Sequence, residues 1–259
     1  MISDRIFCRR LILGTLLSMG ILASSSSAIA APHAARLWFY GNITAQISPH
    51  FSLTLMPGLR IEAARSGDKD ALGHYMDEVF VGSNYHQRLG PVSMTLSLWY
   101  YFAGFDVLKD YAATHNLEFI PTFSLRLGRL SLASRTIFHN TFYSGAYTET
   151  SDRHGYGLVV RQLIKVGFSL SRALNIFVAS EPFFGVIEDA DAKPLLLGFW
   201  SRGFHMHRLY AGVALRLASG LVLVPQAIYE TRVDETGAID QHGYYLFMTL
   251  AYHLVLFDR

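Results

Sequence analysis

The segment that decides the fold of this chain reads Val92-Ser93-Met94-Thr95-Leu96-Ser97-Leu98-Trp99-Tyr100-Tyr101-Phe102. Its even positions are all apolar, and its odd positions begin with Ser93, Thr95 and Ser97. Because successive side chains of a strand point to opposite faces, this alternation predicts a strand with one apolar face and one small, polar face. A tilted strand that crosses a bilayer needs about 9–11 residues, whereas strands of ordinary sheets average about 5–6. Length and alternation together predict a membrane-spanning strand.

The same two-faced pattern recurs along the chain. The candidate strands are 36–47, 51–64, 75–86, 92–103, 116–127, 130–141, 155–167, 174–186, 204–217, 221–231 and 243–257. Tight connections alternate with longer ones, which lie near 65–74, 104–115, 142–154, 187–203 and 232–242. Outer-membrane barrels have this asymmetry, with short periplasmic turns and longer external loops. The sequence therefore predicts an all-β fold, a single antiparallel transmembrane β-barrel of 10–12 strands.

The order of the connections raises a question about the first segment. Counting hairpins back from the C-terminus assigns ten strands to 51–257, so 36–47 is an eleventh strand that begins on the external side. An even-numbered antiparallel barrel forbids this arrangement. Either 36–47 lies outside the wall, or a twelfth strand lies in 187–203 or near the mature N-terminus. The strand prolines, which lack an amide donor, are predicted to mark bulges or strand ends: Pro57, Pro121, Pro182 and Pro225.

The N-terminus has the features of a cleaved signal peptide. Three arginines precede the apolar stretch Leu11–Leu22, and the small residues that follow include Ala28-Ile29-Ala30. We expect a signal peptide at 1–30, a barrel domain at 31–259 and localisation in a bacterial outer membrane. Of the 22 basic and 20 acidic residues, three Arg and one Asp lie in 1–30, which leaves 19 of each and no net charge. This balance argues against a nucleic-acid partner, and loss of Cys8 excludes disulfides.

The C-terminal segment predicts two partners. Tyr252–Phe257 alternates apolar residues and ends on an aromatic ring, with Asp258 and Arg259 after it. This pattern resembles the terminal strand that the outer-membrane assembly machinery recognises. The expected partners are therefore outer-membrane lipids and this machinery, together with a small solute of unknown identity.

Four phrases carry a resemblance to a known family: Asp77–Gly82, Phe123–Leu127, Glu181–Phe184 and His207–Val213. With these four phrases in this order, the chain resembles an uncharacterised family of bacterial outer-membrane barrels, catalogued as domain of unknown function 2490. The segment between Phe184 and Arg208 is longer than the family pattern has it. The resemblance implies an outer-membrane barrel and supplies neither a reaction nor a ligand.

Charged residues follow the polar register of the strands, which predicts that they face the lumen. The predicted lumen charges are Arg60, Glu62, Glu78, Arg126, Arg135, Arg161, Lys165, Glu181, Arg208, Arg216 and Glu230. Segregation of the charged side chains to the lumen is expected, because one Arg or Lys on the lipid face at mid-bilayer costs about 2–4 kcal/mol of stability. The charges either pair and fill a narrow lumen or line a channel for a small anionic solute. The predicted function is accordingly structural or passive transport of a small solute.

Two other classes of function stay open at this stage, a lipid-modifying hydrolase of the outer membrane and a soluble periplasmic ligand-binding protein. A hydrolase needs a serine activated by a histidine, yet Ser134 and His139 fall in opposite registers, and we expect no enzyme. His205 and His207 are predicted to share a face, but two ligands are too few for a zinc site. The acidic segment 188–191 is interpreted as a solvated loop. No metal or cofactor is predicted.

Overall fold

The computed structural model describes residues 33–66, 73–107, 110–143, 155–187, 202–234 and 236–257. They belong to a compact unit that comprises Pro32–Arg259. The predicted signal peptide and the acidic segment 188–191 lie outside the described residues. Within these ranges no helix is both long enough and apolar enough to cross a membrane.

Within the described ranges, eleven strands form one closed barrel, which confirms the all-β class and the predicted strand range. They are β1 (His33–Gln46), β2 (Phe51–Arg65), β3 (Gly73–Leu89), β4 (Val92–Val107), β5 (Asp110–Leu127), β6 (Leu130–Tyr143), β7 (Gly155–Ser169), β8 (Leu174–Ile187), β9 (Gly203–Ala218), β10 (Leu221–Val233) and β11 (Ile239–Val255). Strands adjacent in sequence pair antiparallel around the wall.

The barrel closes through a parallel seam. β1 pairs with β11 from His33 opposite His242 to Gln46 opposite Val255. Both interpretations of segment 36–47 are therefore wrong: it lies in the wall, and the described strands close without a twelfth. Strands joined by a short hairpin must run antiparallel, but no hairpin joins β1 to β11, so a parallel ladder is sterically free to form.

The connections divide the barrel into two ends. We call the end with the turns at 47–50, 90–91, 128–129, 170–173 and 219–220 the short-turn end, and the opposite one the long-loop end. Three of these turns have two residues and contain a glycine with positive φ, Gly90, Gly128 or Gly220. Tight hairpin turns need this left-handed conformation, which glycine adopts without a steric penalty.

The two faces of the wall differ as the alternation predicts. In β4, Leu98 on the outer face is 51% exposed, whereas the neighbouring Ser97 on the inner face is 6% exposed. Val81, Val178 and Leu209 repeat the outward pattern on other strands. The apolar outer surface and the polar lumen therefore follow from residue alternation alone.

The four strand prolines lie inside strands, on the outer face. Pro57 keeps its place opposite Val79 of β3, while the β1–β2 register skips from Tyr40–Gly58 to Ile43–Leu55. Each of the others likewise interrupts one ladder and stays aligned in the other: Pro121, Pro182 and Pro225. The prediction of bulges or strand ends is wrong except at Pro182, which adjoins a bulge. A proline removes only one amide donor, so the second ladder can hold the strand straight.

Candidate functional site: the charged lumen and its cavity

The lumen contains a cavity of about 600 Å³. Hydroxyl and amide side chains line it toward the short-turn end, an aromatic layer follows, and guanidinium and carboxylate groups line its deeper part. Pockets for small molecules measure about 300–1,000 Å³ and combine apolar walls with a few polar groups. The cavity therefore has the size and composition of a small-molecule site.

The polar layer is held by one hydrogen-bonded chain. The Asn84 amide donates to Thr54 Oγ1 at 3.0 Å and to Ser52 Oγ at 3.1 Å. Trp99 Nε1 donates to Asn84 Oδ1 at 2.9 Å. Because a single amide serves both hydroxyls and the indole, the orientation of the Trp99 ring is tied to the strands beside it.

Inward-facing glycines make room for the aromatic layer. A Cβ on Gly82 would lie 2.0 Å from Trp99 Cδ1, and a Cβ on Gly58 would lie 2.3 Å from Tyr40 Cε1. Phe80 and Tyr101 stack with their ring centroids 4.1 Å apart. The rings therefore lie flat against neighbouring strands.

The first charge cluster surrounds Glu78, which is 1% exposed. Arg60 donates from Nε and Nη2 to the two carboxylate oxygens at 2.6 and 2.7 Å. The hydroxyls of Tyr40 and Tyr101 also donate to this carboxylate. Arg60 lies 4.0 Å from the centroid of the Trp38 ring. Bidentate pairing and these hydroxyls offset the cost of burying the charges.

A second cluster joins β5 to β9 through Glu181. Arg161 Nη2 lies 3.0 Å and Arg135 Nη2 lies 3.3 Å from Glu181 Oε1. The Tyr210 hydroxyl donates to the other carboxylate oxygen. Arg161 also approaches Glu118, whose Oε1 lies 2.5 Å from His139 Nδ1. Arg161 thus links two carboxylates that belong to strands on either side of it.

Two further clusters lie toward the long-loop end. Glu230 accepts hydrogen bonds from Arg208 at 2.6 Å, from Arg232 at 2.9 Å and from the Tyr245 hydroxyl at 2.8 Å. Glu62 lies 3.7 Å from Arg36 and 2.7 Å from Arg65. Phe183, Met206 and Val159, at 0–1% exposure, fill the lumen beside these charges.

The structure brings together most of the predicted lumen charges. Arg60 meets Glu78, Arg135 and Arg161 meet Glu181, and Arg208 meets Glu230, whereas Glu62 pairs with two arginines that were not predicted. Lys165 lies over the Phe177 ring at 3.7 Å. Arg126 and Arg216 are exposed near the short-turn end, outside these clusters, because their positions at strand ends carry them past the packed lumen.

Several members of the clusters were missed by the sequence prediction: Arg36, Glu118, His139 and Arg232. Arg36 belongs to β1, whose place in the wall depends on the parallel seam. Arg232 lies one residue beyond the predicted end of its strand. Glu118 shares the inward register of Arg126, so alternation along β5 was sufficient to find it.

The outer face carries a separate set of polar contacts. Ser134 Oγ accepts a hydrogen bond from Gln162 at 3.0 Å, while His139 faces the lumen, so these two residues lie on opposite faces as predicted. Ser180 Oγ lies 2.8 Å from His207 Nε2, and both residues have the outward register. This pair was not predicted, because no spacing rule relates residues on two different strands.

The prediction that His205 and His207 share a face is wrong. The β8–β9 ladder shifts register between Phe183 and Phe184, so β9 has an extra residue at His205. His205 is 2% exposed and its ring lies beside Phe183, whereas His207 reaches Ser180. In the part of the chain that is described, no three His, Cys, Asp or Glu side chains gather in a metal-binding group.

Fold and lumen together define a closed β-barrel that contains an internal, charged, ligand-sized cavity. No protein-family model matches the chain, and no curated protein matches it. The resemblance to the uncharacterised outer-membrane barrel family therefore stays a prediction.

Proposed function

We propose that this protein is an integral β-barrel of a bacterial outer membrane that binds a small solute in a closed lumen. The observation that carries the proposal is the inverted distribution of polarity. Large apolar side chains cover the outside, and paired charges lie inside. Soluble barrels bury their apolar side chains, whereas a membrane wall presents them to lipid.

The packing of the lumen favours a closed state over an open pore. Glu78, Glu181 and Glu230 are 0–1% exposed, and so are Phe183 and Met206. Side chains shielded from solvent to this degree favour a packed lumen over a wide aqueous channel. The cavity approaches the short-turn end, where Thr44 and His86 are partly exposed. With short turns in the periplasm, a solute enters from that side.

The location is tested by fractionation combined with gel migration before and after heating. We expect recovery with the outer membrane and a heat-dependent shift in migration, as for a stable barrel. Recovery in the soluble periplasm would contradict the proposal and would favour a soluble ligand-binding protein.

Planar-bilayer recording tests the closed lumen, and a large, steady conductance from the purified wild-type protein would refute it.

The proposal includes the outer-membrane assembly machinery as a partner. β11 ends at Val255 and is followed by Leu256 and Phe257. We expect Phe257→Ala to slow insertion of the full chain by this machinery, and Leu256→Ala to slow it less. Equal insertion rates for both variants and the wild type would count against recognition through this segment.

A second candidate function, a lipid-modifying hydrolase, is favoured by the pair of Ser180 and His207 on the outer face. A serine hydroxyl 2.8 Å from an imidazole nitrogen has the geometry of a nucleophile beside its base. Ser180 lies six residues after the start of β8 at Leu174, roughly 15 Å along the barrel axis, so in a membrane-spanning barrel the pair would face acyl chains rather than the ester groups at the interface. Among the described residues no carboxylate or amide is bonded to His207 Nδ1, so a group that orients the base is missing. This is why the hydrolase is the second candidate.

Mass spectrometry of membrane lipids tests the hydrolase. Cells that produce the wild-type protein would show deacylated lipid, and cells that produce Ser180→Ala would not. Ser134→Ala is the matched control, because Ser134 is also an outer-face serine but is bonded to Gln162. Identical lipid profiles with and without the wild-type protein would remove this candidate.

A further inference from the structure

We infer that the lumenal cavity binds a small anionic solute through a carboxylate or phosphate group, an inference that rests on the proposed function and names its ligand class. The charges that line the cavity are unbalanced. Six guanidinium groups line it, against two carboxylates: Arg36, Arg60, Arg135, Arg161, Arg208 and Arg232, and Glu78 and Glu118.

The carboxylates behind this lining do not restore the balance. Glu62, Glu181 and Glu230 pair with several of the same arginines, and Arg65 shares Glu62 with Arg36. Counted together, the described clusters hold seven arginines and five glutamates. The two surplus arginines are the most exposed of the seven: Arg65, at 43%, lies outside the cavity lining, whereas Arg135, at 37%, lines the cavity. The Arg135 guanidinium is therefore a positive charge that an anionic solute in the cavity can reach and pair with.

Four side chains of the lining also have hydrogen-bond donors without an acceptor among the described residues. Arg36 Nε and Trp38 Nε1 are buried, in residues 4% and 3% exposed, and have no acceptor among the described residues. The Arg135 Nε and Arg161 Nε atoms are also buried and also have no acceptor among the described residues. All four side chains line the cavity, two from β1 and two from β6 and β7. These four nitrogens are closed off from the open space of the cavity, so a solute would bind the accessible part of the lining instead, such as the terminal guanidinium nitrogens of Arg135, whose side chain is 37% exposed.

The shape and chemistry of the cavity restrict the ligand. A volume of about 600 Å³ excludes a lipid or a polymer and admits a small molecule. Guanidinium groups bind carboxylate and phosphate oxygens in a bidentate manner, which an ammonium group cannot do. The rings of Trp38, Trp99 and Tyr101 supply apolar walls for the rest of the molecule. The ligand class is therefore a small organic or inorganic anion rather than a neutral or cationic solute.

The test is titration of the purified, folded barrel in detergent micelles with inorganic phosphate, succinate or glycerol. Trp38 and Trp99 line the cavity, so their fluorescence reports occupancy. We expect a saturable change with at least one anion, at a dissociation constant below about 1 mM, and none with glycerol. A response to phosphate alone or to succinate alone supports the inference and identifies the group that is recognised.

Two arginine variants show whether binding occurs in the cavity. Arg135→Gln removes a lining side chain that is 37% exposed, so the barrel should still fold, and we expect binding to weaken about tenfold. Arg65→Gln is the matched control, because Arg65 is 43% exposed and does not line the cavity. Heat-dependent gel migration confirms the fold of each variant.

Failure of this inference is distinguishable from failure of the proposed function. A folded, membrane-located barrel that responds to neither anion overturns the anion site and leaves the membrane proposal intact. Equal weakening by both variants overturns the placement in the cavity. Recovery of the chain in the soluble periplasm overturns the proposed function, whatever the titration shows.

Discussion

Replacing Leu98 by arginine tests whether the outer face of the barrel contacts lipid. Leu98 points outward from β4 and is 51% exposed. At about 3.3 Å per residue and a tilt of about 40°, it lies roughly 15 Å above the start of the strand at Val92. The apolar band of an outer-membrane barrel is about 25 Å tall, so Leu98 would lie close to the middle of the bilayer if the barrel spans a membrane as proposed.

The expected cost depends strongly on the surroundings. At the midplane of a bilayer, Leu98→Arg should lower the free energy of unfolding by about 2–4 kcal/mol. This corresponds to roughly a 30- to 900-fold change in the folding equilibrium. On the surface of a soluble barrel the same substitution would cost within about 0.5 kcal/mol, because water solvates the guanidinium group. The two environments therefore differ by more than the error of a careful titration.

Reversible urea unfolding from phosphatidylcholine vesicles, followed by tryptophan fluorescence, measures this cost. Leu127→Arg is the matched control, since Leu127 is 55% exposed in the same outward register but ends β5 at the short-turn end. Near the interface we expect a cost of about 0–1 kcal/mol. Similar small costs for both variants would refute the assignment of a lipid-facing wall.

Three further predictions concern the lumen and one loop. Glu230→Gln removes the carboxylate that pairs with the buried Arg208 and Arg232. Urea titration should show a decrease of about 3–5 kcal/mol in the free energy of unfolding. Gly82→Ala places a Cβ 2.0 Å from Trp99 Cδ1, so the indole must move. We expect a shift in its fluorescence emission and a decrease of about 1–3 kcal/mol in the free energy of unfolding. The Thr236 hydroxyl and nearby backbone amides hold the pKa of Asp234 below its usual value. The stabilisation that the carboxylate gives this loop should therefore be lost as pH falls through that lowered pKa. Hydrogen exchange of the Ala238 amide, which donates to Asp234, measures this loss.

Each of these three predictions has a control in the same chain. Arg65→Gln breaks an ion pair whose arginine is 43% exposed, and it should cost less than about 1 kcal/mol. Gly73→Ala adds a Cβ with no atom within 4 Å, so emission should not change. Asp234→Asn removes the titrating group, and the protection factor of the Ala238 amide, taken relative to its intrinsic exchange rate, should then no longer fall in acid. A control that behaves like its test variant contradicts the corresponding argument.

The strands and their faces could be predicted from the sequence because alternation is a local property of the backbone. Strand ends at the short turns were predicted correctly. The predicted segment 92–103 begins at Val92, where β4 begins, and the predicted segment 116–127 ends at Leu127, where β5 ends. At the long-loop end the same strands continue to Val107 and begin at Asp110. Glycine and proline mark tight turns sharply, whereas a ladder can extend into polar residues without any local signal.

The site could be predicted only in part. The inward register identified most of the charges but not their partners, because ion pairs such as Arg161 with Glu181 join residues on different strands. The bulge at His205 moved that histidine to the other face from His207, an effect that one inserted residue produces and alternation cannot reveal.

By itself, the sequence determined the class of fold, the outer and inner faces, and the segregation of charge into the lumen. Each of these depends on the two-residue repeat of an extended chain. The tertiary structure alone decided the parallel seam between β1 and β11, the partners of the buried charges, and the cavity with its unpartnered donors. These features depend on which strands meet across the barrel, and that choice is made by closure of the whole wall rather than by any one strand.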